Sequence, residues 1–328
     1  MSSLSLPAPE QGRSAAVLYG LAAALIWGAW PVVSAIGIQA ETLAAADLAA
    51  LRFGVAGLVL LPLVLRHGTG GLGWPRALVL AAGAGAPYVL VTAGGLAYAP
   101  AGQGGIITPS CMLACSTLGG WLLLGDRPPR RRLLGIAVIL AGIALIGGQN
   151  LLDTQPGQWK GQLLFAAGGL LWAGYTVAAR AWGAAPLQAT ALVSVLSLLL
   201  YLPAYLVFAE PRLLQAAPAE VAGQAVFQGL FAAVLALVCY SRAVALLGAG
   251  GGAVFATLVP AIAVLLAWPL LGEVPGAGDL AGAGLVTAGM ATALGLAPPR
   301  FTLERLTLGR LTSRRITPGR SPASKGGR

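Results

Sequence analysis

Two nine-residue segments of this chain end in the same way, with a carboxylate that follows a long apolar stretch. The segment WLLLGDRPP, residues 121–129, contains Asp126, and the segment WPLLGEVPG, residues 268–276, contains Glu273. Such carboxylates could act together as a general acid and base, could carry protons, or could mark the ends of helices. The choice among these roles depends on where the rest of the chain places them.

The composition of the chain is that of a membrane protein. Of its 328 residues, 57% are hydrophobic and only 9% are charged, whereas about 25% of the residues of an average soluble domain are charged. Ten apolar stretches each approach the roughly 20 residues that a helix needs to cross the hydrocarbon core. They cover residues 15–37, 43–65, 77–98, 103–124, 133–148, 161–181, 187–208, 222–246, 250–271 and 277–297.

These stretches predict an all-α polytopic membrane protein with ten transmembrane helices. Every backbone N–H and C=O group in hydrocarbon needs a partner within the protein, and the stretches lack the period-two alternation of barrel strands. The net charge of +10 could indicate nucleic acid as a partner, but seventeen of the twenty Lys and Arg residues share one side of the membrane with the N-terminus. By the positive-inside rule, this places both termini in the cytoplasm, and no nucleic-acid binding is expected.

The chain contains an internal repeat. A shift of 147 positions aligns residues 104–148 with 251–295 without a gap, and fifteen of the 45 aligned pairs are identical. Earlier in each half, LIWGAWPV (25–32) resembles LLWAGYTV (170–177). Each unit therefore contains five spans. Because five is an odd number, the two units cross the membrane in opposite directions, which predicts two inverted five-helix repeats.

The repeat places Asp126 and Glu273 in equivalent positions. A glycine precedes each carboxylate and a proline follows two residues later, a pattern typical of a turn between two helices. Each carboxylate is expected at the N-terminus of the following helix, where the helix dipole favours negative charge. In inverted halves Asp126 faces the cytoplasm and Glu273 the outside, which excludes a joint catalytic pair. A gate that closes against a basic partner on the same face is the alternative.

Taken in order, the motifs resemble those of the EamA type of the drug/metabolite transporter superfamily. They are the Arg of LAALRFGVAGLVLLPLVL in the second span, LLLGDRPP at the end of the fourth and PLLGEVPG at the end of the ninth. The resemblance covers roughly residues 15–297. In one departure, Pro260 lies 13 residues before Glu273, whereas the first half has Leu113 there and Pro109 a turn earlier. The first half is therefore expected to kink at a different depth.

Arg52 is the one cation that the spans place near the middle of the membrane, where insertion scales give a cost of about 2.5–3.5 kcal/mol. It is expected to face the interior of the bundle, where it binds an anionic group of the substrate, pairs with Asp47, or clamps backbone carbonyl groups. We favour the clamp, because proteins of the resembling family share this Arg although their substrates vary. Asp47 is the intramembrane candidate for proton coupling, and a role at the start of its helix is equally open.

Four aromatic residues occupy equivalent positions in the first helix of each half, namely Trp27 with Trp172 and Trp30 with Tyr175. They lie in mid-span rather than in the interfacial belts where membrane aromatics concentrate. A substrate cavity and simple helix packing both fit this placement. Polar side chains that could line the same cavity, or bond back to their own helices, are Tyr88, Gln103, Thr108, Ser110, Gln228, Tyr240 and Thr257.

Motifs of other function classes are missing from the sequence. The glycine run GAGGGA, residues 248–253, joins two membrane helices rather than a strand and a helix, and the chain contains no GK[ST] motif, which argues against nucleotide binding. His67 is the only histidine, so a cluster of metal ligands is not expected. We therefore predict that the protein is not an enzyme and binds no metal and no cofactor.

The chain divides into a cytoplasmic N-terminal segment (1–14), a first repeat (15–148), a linker (149–160), a second repeat (161–297) and a basic tail (298–328). The tail contains eight Lys and Arg residues and no apolar periodicity. This composition predicts a disordered segment that is held near anionic lipids of the cytoplasmic leaflet, with a nucleic-acid arm as the competing interpretation. The sequence carries no signal for the oligomeric state.

These features predict a multi-pass secondary transporter of the bacterial inner membrane. The resemblance implies a small-molecule substrate, an amino acid or a related amphiphile, that is exported by gradient-driven alternating access. The alternative function is that of a membrane-embedded ligand sensor or accessory protein that binds a ligand without transporting it.

Overall fold

The computed structural model describes residues 10–152 and 157–296, and every regular element in these two ranges is a helix. The predicted basic tail, residues 1–9 and residues 153–156 of the linker lie outside the described ranges. The elements in chain order are α1 (Glu10–Gln39), α2 (Ala45–His67), α3 (Trp74–Ala84), α4 (Ala86–Gly95), α5 (Ala101–Leu124), α6 (Arg130–Leu152), α7 (Gln158–Ala181), α8 (Pro186–Phe208), α9 (Pro218–Ala225), a π-helix (Val226–Leu235), α10 (Ala236–Ala256), α11 (Val259–Leu271) and α12 (Ala277–Leu294).

Ten helical spans are long and apolar enough to cross a membrane, which confirms the predicted all-α polytopic fold. Three spans combine several elements. Helices α3 and α4 form the third (Trp74–Gly95), α9, the π-helix and part of α10 form the eighth (Pro218–Gly248), and the end of α10 and α11 form the ninth (Gly250–Leu271). Large apolar side chains lie exposed along the spans, for example Leu123 (77%) and Phe208 (85%). Water would drive such a surface to aggregate, but lipid solvates it, so this surface faces the bilayer.

Glycine and proline set the breaks within the spans. Gly248, with φ 77° and ψ 168°, interrupts α10 and forms the turn between the eighth and ninth spans. The ninth span contains a break of its own just before Pro260, where α10 ends at Ala256 and α11 begins at Val259. The equivalent fourth span is one continuous helix, α5, with Pro109 inside it. The two halves therefore differ at the shifted proline. The fourth span of the first half is an intact helix, whereas the ninth span of the second half is broken.

The contact between α6 and α12 shows the inverted relation of the two repeats directly. A Cβ atom added to Gly142 would lie 2.9 Å from the carbonyl oxygen of Gly282, and one added to Gly289 would lie 2.8 Å from that of Gly135. These glycines let the helices approach closely. Residue numbers rise along α6 while they fall along α12, so the helices are antiparallel. The shift of 147 converts Gly135 into Gly282 and Gly142 into Gly289, so equivalent residues exchange places across the contact.

The other helix contacts follow the same exchange. Helix α5 of the first repeat packs on α7 of the second, and the equivalent helices α10 and α11 of the second repeat pack on α1 of the first. Helix α2 packs on its own equivalent, α8. The two repeats are therefore intertwined, and side chains from both of them meet inside the bundle.

Candidate functional site

A row of four aromatic side chains crosses the boundary between the two repeats. Trp30 of α1 stacks on Tyr88 of α4 with ring centroids 6.2 Å apart. The edge of Tyr88 meets Trp172 of α7 at 4.7 Å, and Trp172 lies 5.5 Å from Tyr175. We call these four residues the aromatic row. The sequence predicts each of them as a cavity candidate, and the tertiary structure brings all four together.

The aromatic row lies well inside the membrane. Trp30 precedes the end of α1, at Gln39, by about 13 Å, and Trp172 follows the start of α7, at Gln158, by about 21 Å, from the rise of a helix. These two helix ends lie on the same side of the bundle, because both are linked to the start of α5 by side-chain hydrogen bonds of Glu273 and Gln103. The row therefore occupies the middle of a hydrocarbon core about 30 Å thick.

A buried hydrogen-bond network from the π-helix holds Trp30. The indole Nε1 of Trp30 donates to Oε1 of Gln228 at 2.8 Å, and Nε2 of Gln228 donates to Oγ of Ser34 at 2.8 Å and to Oε1 of Gln224 at 3.2 Å. Gln228 is fully buried, and π-helical turns are frequent at functional sites. Gln228 is a predicted candidate. Ser34 and Gln224 are not, although the spacing of Gln224 and Gln228, one helical turn apart, is a signal that could have found Gln224.

Arg52 lies beside the aromatic row, and no carboxylate in the part of the chain that the structure describes forms an ion pair with it. Its side chain is 8% exposed, and its guanidinium carbon lies 5.9 Å from the ring centre of Trp30 and 6.0 Å from that of Phe53. Its Nε atom has no hydrogen-bond partner in the two described ranges. Arg52 faces the interior as predicted. Within residues 10–152 and 157–296, however, it makes neither the pairing with Asp47 nor the clamp on backbone carbonyl groups.

Asp47 is fully buried, and its hydrogen bonds explain why it does not pair with Arg52. Its Oδ2 accepts from the backbone N–H of Ala44 at 2.7 Å, which satisfies a free N–H at the start of α2. Its Oδ1 accepts from the hydroxyl of Tyr205 at 2.5 Å and from the backbone N–H of Arg212 at 3.2 Å. Three donors thus surround this carboxylate. They support a role at the start of the helix and also link the two repeats there.

Six other candidates lie outside the aromatic row, Gln103 among them. Trp27 packs against Tyr240, with ring centroids 5.3 Å apart, in a contact between α1 and α10. Ser110 and Thr257 each donate to a carbonyl oxygen in the preceding turn at 2.6 Å, which is the back-bonding that short hydroxyl side chains make in helices. Thr108 is buried, and its hydroxyl oxygen has no hydrogen-bond partner among the described residues.

Gln103 lies at the start of α5, near one end of the bundle. Its Nε2 donates to Oδ1 of Asp279 at 3.2 Å, and its Oε1 accepts from Nε2 of Gln162 at 3.0 Å. Asp279 also accepts from the backbone N–H of Gly276 at 3.1 Å, at the start of α12. Gln103 therefore joins the starts of three helices and does not contact the aromatic row.

The two carboxylate turns have the same backbone structure at the predicted positions. Gly125 and Gly272 adopt left-handed conformations with φ of 73° and 69°. In both turns the glycine N–H bonds to the carbonyl oxygen four residues earlier, and the next N–H bonds to the one six residues earlier, at 2.9–3.3 Å. A left-handed glycine after the last helical residue satisfies carbonyl groups that the helix leaves free.

The Glu273 side chain does not lie where the sequence predicts it. Its carboxylate accepts from the backbone N–H groups of Ala101 and Gly102 at 2.9 and 3.2 Å, and from Nε2 of Gln39 at 2.9 Å. Ala101 and Gly102 are the first residues of α5. Glu273 therefore holds the N-terminus of a helix in the other repeat and not that of the following helix α12, because α5 presents its free N–H groups to the turn.

Asp126 has a basic partner, which is the contact that the gate alternative expects. Its Oδ2 forms an ion pair with the guanidinium of Arg180, at the end of α7, at 2.6 Å, and both side chains are substantially exposed, at 41% and 62%. Helix α5 begins beside Glu273 and ends beside Asp126, so the two carboxylates lie about 36 Å apart along it. The structure thus places them at opposite ends of the bundle, which is the separation that the inverted repeat predicts.

The described residues hold no cluster that could bind a metal ion. No group of three or more His, Cys, Asp or Glu side chains comes together in these ranges. The cysteines Cys111, Cys115 and Cys239 are free thiols. The chemistry of the site is therefore carried by aromatic faces, one guanidinium and amide groups.

Both halves of the chain match one family of known proteins. The model of the EamA-like transporter family matches residues 14–148 and again residues 159–295. One crystal structure of a protein aligns with 87% of this chain and with 99% of its own chain, at 21% sequence identity and a TM-score of 0.58. At 21% identity, this similarity shows that the two proteins share a fold and nothing more. No curated protein is detectably similar to this chain in sequence.

Proposed function

Because the chain belongs to the EamA-like transporter family, we propose that it is a secondary transporter that moves a small organic metabolite by alternating access. The observation that carries this proposal is the aromatic row, to which the first repeat contributes Trp30 and Tyr88 and the second contributes Trp172 and Tyr175. Transporters built from inverted repeats bind their substrates near the midplane, where the repeats meet. The family is in general not enzymatic, and we propose no catalytic role.

Alternating access requires contacts between the repeats that open at one end while the other end stays closed. At one end, Glu273, Asp47 and Gln103 each form hydrogen bonds across the boundary between the repeats. At the other end, Asp126 and Arg180 form an exposed ion pair across the same boundary. We assign these two sets of contacts to the two gates of the transport cycle.

The proposed substrate is an amino acid or a related amphiphile, and the proposed direction is export. The aromatic row offers apolar ring faces, while Arg52 beside it offers a polar end. The distribution of Lys and Arg residues supports cytoplasmic termini, and the proposed location is the bacterial inner membrane. The chain has no GK[ST] motif for ATP, so an ion or solute gradient is the proposed source of energy.

The role of Asp47 can be tested with Asp47→Asn. A proton carrier at this position would lose transport that is driven by a pH gradient. The hydrogen bonds from Ala44, Tyr205 and Arg212 favour a role at the start of α2. We therefore expect the variant to keep pH-driven transport in proteoliposomes and to unfold at a lower temperature than the wild type. Loss of pH-driven transport with counterflow intact would instead assign the coupling proton to Asp47.

The proposed function is tested with purified protein in proteoliposomes. We expect saturable counterflow of labelled amino acids, reduced by more than about tenfold in Trp30→Ala because a buried aromatic contact is worth about 2 kcal/mol. Trp159→Ala is the matched control, because Trp159 is 57% exposed near the start of α7 and lies outside the row. The absence of flux for a ligand that demonstrably binds would contradict transport and indicate a sensor or accessory protein.

A further inference from the structure

The interior of the bundle holds a buried cation, Arg52, that forms no ion pair with any described carboxylate. Arg52 is the eighth residue of α2, about 10 Å past the start of that helix. The acidic residues within the ten described spans are Asp47, Glu220 and Asp279, and each of them lies in the first turn of its helix. A guanidinium does not lose its proton in a protein, so Arg52 stays charged.

Gln228 and Asp47, two buried polar side chains that could reach toward Arg52, bond to other groups. Gln228 uses its carbonyl oxygen for Trp30 and its amide nitrogen for Ser34 and Gln224. Asp47, five residues before Arg52, accepts three hydrogen bonds from other donors. Buried charges in proteins are normally paired. None of the residues in 10–152 and 157–296 supplies an anionic partner for Arg52.

The surroundings of Arg52 indicate the chemistry of that partner. The guanidinium presents its N–H donors in a rigid fork that matches the two oxygens of a carboxylate. The ring of Trp30, 5.9 Å away, attracts the cation with its face, and no described residue accepts a hydrogen bond from Nε. Beyond Trp30 the aromatic row continues through Tyr88 to Trp172. An anionic group at Arg52 thus leaves an apolar body in contact with the ring faces.

We propose that Arg52 binds the carboxylate of the transported solute and that the substrates of this protein are small organic carboxylates. This inference rests on the proposed transport function and narrows its substrate class, since it excludes amines and neutral solutes that lack an acidic group. Gln228 has a positioning role, because its hydrogen bond fixes the indole of Trp30 against which the solute lies.

Matched acids and amides test the proposal, because the members of each pair differ only in the anionic group. The pairs are leucine with leucinamide, phenylalanine with phenylalaninamide, and benzoate with benzamide. Binding is measured as thermal stabilisation of the protein in detergent, and transport as counterflow in proteoliposomes. For at least one pair, we expect the acid to half-saturate at a concentration about tenfold or more below that of its amide, the loss expected for a missing charge-assisted pair.

Variants of Arg52 connect this preference to the side chain. Arg52→Gln is expected to raise the half-saturation concentration of the acid by about tenfold or more and to leave that of the amide within about twofold. Arg52→Lys keeps the charge but loses the fork, so an intermediate increase is expected. Arg66→Gln is the control, since Arg66 is an exposed cation at the end of the same helix, and its acid preference should stay unchanged.

The outcomes separate this inference from the proposed function. Counterflow of acids and amides with equal half-saturation, or an acid preference that survives in folded Arg52→Gln, contradicts the carboxylate site and leaves transport intact. Thermal stabilisation by millimolar chloride or phosphate that equals the stabilisation by the acids also contradicts it, because the site would then bind a simple anion. Selective stabilisation by acids without any counterflow supports the binding site and contradicts transport. If none of the acids binds, the carboxylate assignment is overturned.

Discussion

The turn at Gly125 and the turn at Gly272 have the same backbone conformation, but their carboxylates bind different partners. Each has a left-handed glycine and the same pair of backbone hydrogen bonds. At the second turn, Glu273 accepts hydrogen bonds from the backbone at the start of α5, whereas at the first turn Asp126 forms an exposed ion pair with Arg180. Repetition has preserved what the backbone requires, namely a glycine, while the partner of the carboxylate depends on the helix that packs nearby.

The difference between the two carboxylates has an energetic consequence. Hydrogen bonds from backbone N–H groups to a charged acceptor are among the stronger ones, and their loss leaves free donors at a helix start. An ion pair between exposed side chains is screened by water and salt and contributes about 0–1 kcal/mol. We therefore expect the loss of the Glu273 carboxylate to lower the free energy of unfolding clearly, and the loss of the Asp126 carboxylate to change it little.

The largest expected effect is that of Glu273→Ala. The substitution leaves the N–H groups of Ala101 and Gly102 without their acceptor, and we expect the free energy of unfolding to fall by about 2 kcal/mol. Denaturant titration in a mild detergent measures this change. Asp126→Ala is the matched control at the equivalent turn, and equal losses in the two variants would remove the distinction between the turns.

A smaller and equal effect is expected when either glycine is replaced. Gly125→Ala and Gly272→Ala each force a side chain into the left-handed region, which costs about 1–2 kcal/mol. Gly54→Ala is the control, because Gly54 lies inside α2 with nothing within 4 Å of an added Cβ atom, and alanine favours a helix interior. The same titration should therefore give two matched losses and none for Gly54→Ala. A difference of more than about 1 kcal/mol between the turn glycines would show that their backbones are not equivalent.

A third, weaker effect is expected at the Asp126–Arg180 pair. A double-mutant cycle with Asp126→Ala and Arg180→Ala should give a coupling energy of about 0.2–1 kcal/mol. Because both side chains are exposed, 1 M salt, where the screening length is about 3 Å, should abolish most of this coupling. A coupling above about 2 kcal/mol that persists in salt would argue that the pair is a main closure of its gate.

The smallest effect is expected for Gln39→Ala. Gln39 is an exposed partner of Glu273 at the end of α1, and exposed substitutions usually change stability by less than about 0.5 kcal/mol. A near-neutral result together with a large loss in Glu273→Ala would show that the backbone of α5 is the important partner. A larger loss of stability in Gln39→Ala than in Glu273→Ala would instead show that Gln39 is the important partner at this end of the bundle.

Features that depend on short stretches of sequence could be predicted. The ten spans follow from apolar length, because a helix must cover the hydrocarbon with its own hydrogen bonds satisfied. The left-handed turns follow from Gly125 and Gly272, because other residues are strained in that conformation. The inversion follows from an odd number of spans in each unit, and the antiparallel contact of Gly142 with Gly282 agrees with it.

Features that depend on pairs far apart in the chain could not be predicted. Glu273 bonds to Ala101 across 172 positions, and Trp30 bonds to Gln228 across 198. Both pairings depend on the rotation of each helix about its axis. Lipid accepts any apolar face of a helix equally well, so the hydrophobic pattern leaves this rotation undetermined. For the same reason, Gln103 and Tyr88 look alike as candidates in the sequence, although only Tyr88 lies in the aromatic row.

The sequence by itself therefore determined the membrane fold, its two inverted repeats and the presence of one interior cation, because each follows from hydrophobic length, internal repetition or charge. The tertiary structure alone decided which groups surround that cation. It placed Asp47 among other donors and set Arg52 beside Trp30. The physical cause of that arrangement is helix packing. Small residues and a few hydrogen bonds determine which of several similar apolar faces of each helix contacts its neighbours.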